Sequence, residues 1–168
     1  MFERVSRDEI MSALDEKVNK YISISGNCAQ TAFLALSEQF DLKGGAVLQA
    51  LTAFVGGIAL RGETCGVVVG CVMAFGIAFG KEEMSDMTGY FNVVPKARTF
   101  CERFETEAGG MTCRQIAKAD FHRWYASQDS AHLNRWREYR DIDHRAAMVR
   151  RGVRIAADII LGETEQLG

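Results

Sequence analysis

Proline is nearly missing from this chain. Only Pro95 occurs in 168 residues, so little in the sequence forbids long helices. Alternation of apolar and polar residues is also missing, which removes the ordinary signal for strands and points to an all-α fold. There is no C-x-x-C, no H-E-x-x-H or H-x-x-x-H, no Walker loop, no dinucleotide fingerprint, no C-x-x-C-H and no serine-triad signature. Those absences exclude the common nucleotide, haem and zinc-protease classes. The close cysteine spacings of ferredoxins and zinc ribbons are lacking as well. No apolar run reaches the ~20 residues that a bilayer span needs, so no membrane span is expected. The opening MFERVSRDEI has mixed charge and no apolar core, unlike a secretory leader. A reducing cytoplasm is the expected compartment, where structural disulfides are rare. A net charge of −2 argues against a dedicated nucleic-acid binder. The segment from Arg123 to Arg154 is rich in arginine, with Trp124 and Trp136 interleaved, but a solvated helix face is the favoured reading.

What the chain does have is cysteine and glycine, five and 16 of them. The longest apolar stretch, residues 56–80, holds Cys65 and Cys71 and reads as a buried helix from Cys65 to about Phe79. Helical periodicity also predicts helices over 7–22, 28–40 and 46–55, then from Pro95 to about Ala108. A short helix over 113–117 and a last one over about 143–161 follow. Pro95 suits a first helical turn, and 81–94 reads as a polar, irregular segment. The expectation is a single all-α domain over 1–168, a bundle of about six or seven helices.

Three cysteines share one local pattern. Asn27 precedes Cys28, Thr64 precedes Cys65 and Thr112 precedes Cys113, each a capping residue followed at once by cysteine. A helix N-terminus offers unpaired N–H groups and partial positive charge, which lower a thiol's pKa. Thiolate is the form that attacks disulfides and binds soft metals. Each cysteine alone is better read as a small core residue, and only the repetition of the pattern three times brings the two readings level. Gly66 and Gly70, four apart, leave a bare helix face for close approach by another helix or a bound group. Cys71 lies about a third of a turn around from Cys65 and ~9 Å along the helix, so it reads as core. Cys101 falls on the apolar stripe with Ala97, Phe104 and Ala108 and also reads as core. His122, His132 and His144 are scattered through a polar region and read as surface. A surface salt bridge is the plain reading of Arg61, Glu63 and Arg114.

Asn27-Cys28-Ala29-Gln30, then Gly62-Glu63-Thr64-Cys65-Gly66-Val67-Val68-Val69-Gly70, then Phe100, Phe104 and Thr112-Cys113-Arg114-Gln115-Ile116 resemble the redox-active protein family named for its C_GCAxxG_C_C pattern. Val67 stands where alanine is usual. Members of that family usually carry one more cysteine early in the last helix; here Val149 falls near its place. The resemblance implies a redox or cluster-binding protein without naming a substrate.

Three readings follow for the chemistry. In the first, Cys28, Cys65 and Cys113 hold an iron–sulfur or other soft-metal centre, with Cys101 in reserve as fourth ligand and Gly66 and Gly70 letting the group sit against the backbone. In the second, two of the same three cysteines act as reactive thiols, without metal, and exchange electrons with an unknown redox partner. In the third, the chain is a non-catalytic helical interaction module with core cysteines. A homodimer is expected, packed through the glycine-rich central helix.

Overall fold

The computed structural model describes residues 5–116 and 142–166, and they form an all-α bundle. The elements are α1 (Arg7–Ser25), α2 (Cys28–Gln39), α3 (Gly45–Ala50), a 3-10 turn (Leu51–Phe54), α4 (Gly66–Phe79), α5 (Met87–Ala108), α6 (Cys113–Ile116) and α7 (Ile142–Gln166). Among the described residues none belongs to a strand, and the one extended pairing is an isolated antiparallel bridge between Thr64 and Thr112. No helix among them is long and apolar enough to cross a membrane.

α1 starts at a capping box, with Ser6 and Glu9 bonding each other's backbone N–H groups. It ends at Gly26, whose φ of 65° supplies the left-handed turn that closes a helix. Leu14, Val18 and Ile22, at helical spacing, form its buried face. α4 is apolar all round, and α1, α2, α5 and α7 supply most of the remaining core, with Leu51 from the 3-10 turn. Phe33, Phe75, Phe100 and Phe104 are its largest fully buried side chains. Phe75 meets Phe100 edge-on with ring centroids 5.7 Å apart, and Phe100 stacks on Phe104 at 5.8 Å. Each such side chain contributes about 1.5–3 kcal/mol by burial.

Gly66 and Gly70 are used inside the chain. A methyl group at Gly66 would come within 3.3 Å of the Ala29 Cβ, and one at Gly70 would overlap the Ala29 carbonyl oxygen. The bare face of α4 therefore receives α2. Gly152 on α7 serves the same purpose for Val67 and Phe104.

The helix expected to begin at Pro95 begins at Met87, and Pro95 lies inside it. Asp86 caps the start by accepting from the Thr88 and Gly89 N–H groups. Proline costs that helix one backbone bond, and the cap together with packing of its later turns outweighs the loss. The segment over 81–94 is thus half helix. The expected third helix stops early, passing into the 3-10 turn after Ala50.

The connection before α4 holds an unforeseen left-handed turn. Gly56, Gly57, Ile58, Ala59 and Leu60 all have positive φ, between 52° and 71°. Each non-glycine residue there costs roughly 1–2 kcal/mol. Backbone bonds hold the turn: Leu60 N–H to the Val55 carbonyl at 3.0 Å, Gly62 N–H to Gly56 at 3.1 Å and Glu63 N–H to Gly57 at 3.0 Å. Ala59 is exposed, so its side chain returns little for the strain. Ala59→Gly is therefore expected to raise stability by about 0.5–1 kcal/mol, the steric relief less glycine's added chain entropy. Urea unfolding would measure it, and an unchanged or lower midpoint would contradict the account.

Candidate functional site

The left-handed turn delivers the chain to a short two-stranded clamp. Cys65 N–H donates to the Met111 carbonyl at 2.9 Å, Cys113 N–H to the Glu63 carbonyl at 2.9 Å, and Arg114 N–H to the Gly62 carbonyl at 3.1 Å. The Arg114 guanidinium adds a bond to the Arg61 carbonyl at 2.9 Å. Thr64 and Thr112 face each other across the bridge, so Cys65 and Cys113 fall on its opposite face as diagonal neighbours. Each of the two thiols bears on the other's ionisation, raising Cys65 and lowering Cys113.

The three capping expectations fare differently. Asn27 caps α2, accepting from Ala29 N–H at 3.1 Å and Gln30 N–H at 3.2 Å. Its amide also reaches the Thr52 carbonyl, and Asn27 is buried. Thr112 caps α6 through a capping box with Gln115, each side chain accepting from the other's backbone N–H. Thr64 is no cap. The bridge to Thr112 takes it into extended pairing, and Cys65 itself occupies the cap position of α4. The expected first helical residue is thus the one before the helix.

Cys28, Cys65 and Cys113 come together at this corner, and each alters the ionisation of another. Their ionisation does not follow the expectation of three acidified thiols. Burial, followed by the charge of Cys113, pushes Cys28 up to about 12, against a smaller opposing pull from the Arg145 guanidinium. Cys65 is buried, at 4% exposure, and is pushed well up. Its hydrogen bond to Cys113 is the largest cause and burial the next. Cys113 alone is lowered, first by the Cys65 thiol bonding to its sulfur and then, against burial, by the Gly66 N–H. That N–H belongs to the start of α4, so a neighbouring helix supplies the field that Cys113's own four-residue helix was expected to supply. Cys113 and Cys28 are part-exposed, with Cys65 behind.

Cys71 is fully buried, as expected of core. Cys101 is half-buried on α5, where burial raises its thiol, and its charge acts on Cys71 and not on the three gathered sulfurs. It is therefore not positioned as their fourth partner. Among the described residues no three of Cys, His, Asp and Glu form a group that could hold a metal ion. Arg114 and Glu63 approach to 4.0 Å at the surface, a weak pair. Trp124, Trp136, His122 and His132 lie outside the described residues.

The model of the family described as "Putative redox-active protein (C_GCAxxG_C_C)" matches residues 26–159. That span includes all three gathered cysteines and most of α7. The chain belongs to the C_GCAxxG_C_C family. No curated protein and no solved structure matches it. Within this C_GCAxxG_C_C protein the first two segments of the pattern meet across Gly66 and Gly70, which admit Ala29 beside Cys28. The third is tied to the second by the clamp.

One residue at the corner escaped the sequence reading. Arg145, on α7, reaches over to bond the Gly26 carbonyl at 3.1 Å and acts on Cys28. Nothing in its arginine-rich surroundings marks it. Other arginines of α7 tie that helix to its neighbours: Arg154 bonds Asp15 at 2.6 and 3.0 Å, and Arg150 bonds Asn19 at 2.5 Å.

Proposed function

We propose that this protein is a dithiol electron carrier in which Cys113 is the attacking thiolate and Cys65 the resolving thiol. What supports the reading is the backbone clamp that makes Cys65 and Cys113 diagonal neighbours, with Cys113 part-exposed and its thiol lowered. The nucleophile in thiol–disulfide exchange is a thiolate with access to its target. Cys113 attacks one sulfur of a disulfide R–S–S–R, forming a Cys113–S–S–R bond and releasing R–S⁻. Cys65 then attacks the Cys113 sulfur, closing the Cys65–Cys113 disulfide. Its proton leaves with the second R–S⁻ as R–SH. Two electrons pass from the protein to the disulfide.

The iron–sulfur reading has less support, since the described residues supply no three-donor metal group. Electron transfer with a disulfide-bearing partner requires neither a cluster nor a second copy of the chain.

Reduced protein treated with hydroxyethyl disulfide, acid-quenched and peptide-mapped tests the assignment. A Cys65–Cys113 linkage is expected, with Cys65→Ser accumulating the mixed disulfide on Cys113 and Cys113→Ser forming neither. Five free thiols under excess disulfide would overturn the reading and favour a non-catalytic helical module. Stoichiometric iron and inorganic sulfide in anaerobically purified protein, lost in Cys113→Ser, would overturn it in favour of a cluster.

A further inference from the structure

The rim of the clamp carries charges that the two-thiol scheme does not use. The pairing of Thr64 with Thr112 lays Arg61-Gly62-Glu63 alongside Cys113-Arg114. Cys113 N–H bonds the Glu63 carbonyl at 2.9 Å, and Arg114 N–H bonds the Gly62 carbonyl at 3.1 Å. Glu63 therefore stands opposite Cys113, Arg61 follows on the outer side, and Arg114 is the next residue after Cys113. All three charged residues are exposed, and Cys113 is part-exposed beside them.

These charges do not cancel. The Arg114 guanidinium donates to the Arg61 carbonyl at 2.9 Å, which fixes the cation against the clamp without neutralising it. Glu63 approaches it to 4.0 Å with about half of each side chain in solvent, so that pair is weak. Among the described residues the Arg61 side chain has no hydrogen-bond or ion-pair partner. Two cations against one anion leave the rim positive, in a chain whose net charge is −2. Small-molecule sites are concave, with mostly apolar walls. An open, charged rim of this kind fits an extended segment of a larger partner better.

We propose that Arg61 and Arg114 determine which disulfide reaches Cys113, and that the partner is a peptide or protein segment whose disulfide is flanked by acidic residues. The proposal rests on the dithiol reading above. In the attack the Cys113–S–S–R bond forms, the partner's own S–S bond breaks, and R–S⁻ leaves. Carboxylates beside the partner's cysteine meet the two guanidinium groups as the sulfurs approach, and lysines at the same places are repelled by them. Arg61 and Arg114 act on this encounter and take no part in the bond exchange.

Reduced full-length protein is treated at neutral pH with symmetrical disulfides of three short peptides, whose cysteine is flanked by aspartate, asparagine or lysine. The rate of peptide-thiol release is divided by that of a free cysteine derivative with the same peptide, and the Cys65–Cys113 linkage is mapped at the end point. At low salt the aspartate peptide is expected to react about tenfold faster than the lysine peptide, with asparagine between them. High salt is expected to shrink the preference by screening. Arg61→Gln and Arg114→Gln are each expected to cut it about threefold, half of the effect on a logarithmic scale. Glu63→Gln is expected to widen it, and Arg114→Lys to keep most of it. An arginine that only braced the clamp would instead slow all three peptides alike, with lysine no better than glutamine. Equal normalised rates, a preference for the lysine peptide, or an aspartate preference undiminished in both glutamine variants would overturn the proposal. If Arg114→Gln does not fold, Arg61→Gln still decides it, since the Arg61 side chain holds nothing in the fold. Absence of the Cys65–Cys113 linkage with every peptide would overturn the dithiol reading, and this one with it. A linkage that forms at equal rates with all three overturns this one alone.

Discussion

At neutral pH and limiting reagent, iodoacetamide labels Cys113 ahead of the other four cysteines, and Cys65→Ala slows that labelling by about an order of magnitude. The expectation follows from where the charge is held. The Cys113 sulfur takes a hydrogen bond from the Cys65 thiol and faces the Gly66 N–H at the start of α4. Hydrogen bonds to an ionised group are worth about 1.5–3 kcal/mol, and 1.4 kcal/mol is a factor of ten in the thiolate-to-thiol ratio. The sign is fixed by the chemistry. A thiol whose pKa is lowered ionises at lower pH, so its labelling begins at lower pH. Removing the donor moves that onset up toward ordinary cysteine. The competitors are held back by their own environments: burial first pushes Cys28 up to about 12 and raises Cys71 and Cys101, while Cys65 is raised first by Cys113 and then by burial. The variant itself is mild, since losing one sulfur from a buried position creates only a small cavity. Peptide-mapped rates against pH check the prediction. Similar profiles for Cys113 and Cys101, or no change in Cys65→Ala, would remove the basis for calling Cys113 the nucleophile.

The all-α class and most helix positions could be read from the chain because they rest on local signals: periodicity, caps and terminal glycines. Asn27 and Thr112 illustrate this, since a capping side chain needs only its own next three residues. Thr64 shows the limit. Its local sequence is that of a cap, but the Met111 and Glu63 carbonyls accept from the backbones of Cys65 and Cys113. That pairing depends on a segment nearly fifty residues away. Pro95 shows the same limit from another side. A proline inside a helix is tolerated where tertiary packing and an earlier cap, here Asp86, outweigh one lost bond. The left-handed turn at Gly56–Leu60 had no signal at Ile58 or Leu60, whose side chains argue against positive φ. The gathering of three sulfurs was legible only as a repeated motif. Which sulfur becomes the thiolate was not, because it is set by a contact between distant segments and by burial.

Alanine substitutions at two glycines of α4 are expected to move stability in opposite directions. Gly76 lies on an exposed face, and a methyl group there meets nothing within 4 Å. Gly76→Ala should stabilise by about 1 kcal/mol, the difference in helix propensity. Gly70 gains the same propensity term, but its methyl group would overlap the Ala29 carbonyl and lie 3.0 Å from the Ala32 Cβ and 3.1 Å from the Phe33 backbone nitrogen. Backbone atoms of a packed helix do not rotate away, so α2 must shift. Overpacking of this kind costs about 1–3 kcal/mol or more, which cancels or exceeds the propensity gain. The consequence for the site is larger than that for stability. Ala29 follows Cys28 at the first turn of α2, so moving α2 off α4 draws the Cys28 sulfur away from Cys65 and Cys113. Gly70→Ala is therefore expected to speed iodoacetamide labelling of Cys28, which becomes less buried and farther from the Cys113 charge, while the clamp still forms the Cys65–Cys113 disulfide. Gly76→Ala is expected to leave both unchanged. Denaturant midpoints for the two variants, with mapped thiols in each redox state, check the pair. Equal stabilisation of both would mean that α2 and α4 are not in backbone contact at Gly70, and the corner would lose the packing that brings its first two sulfurs together.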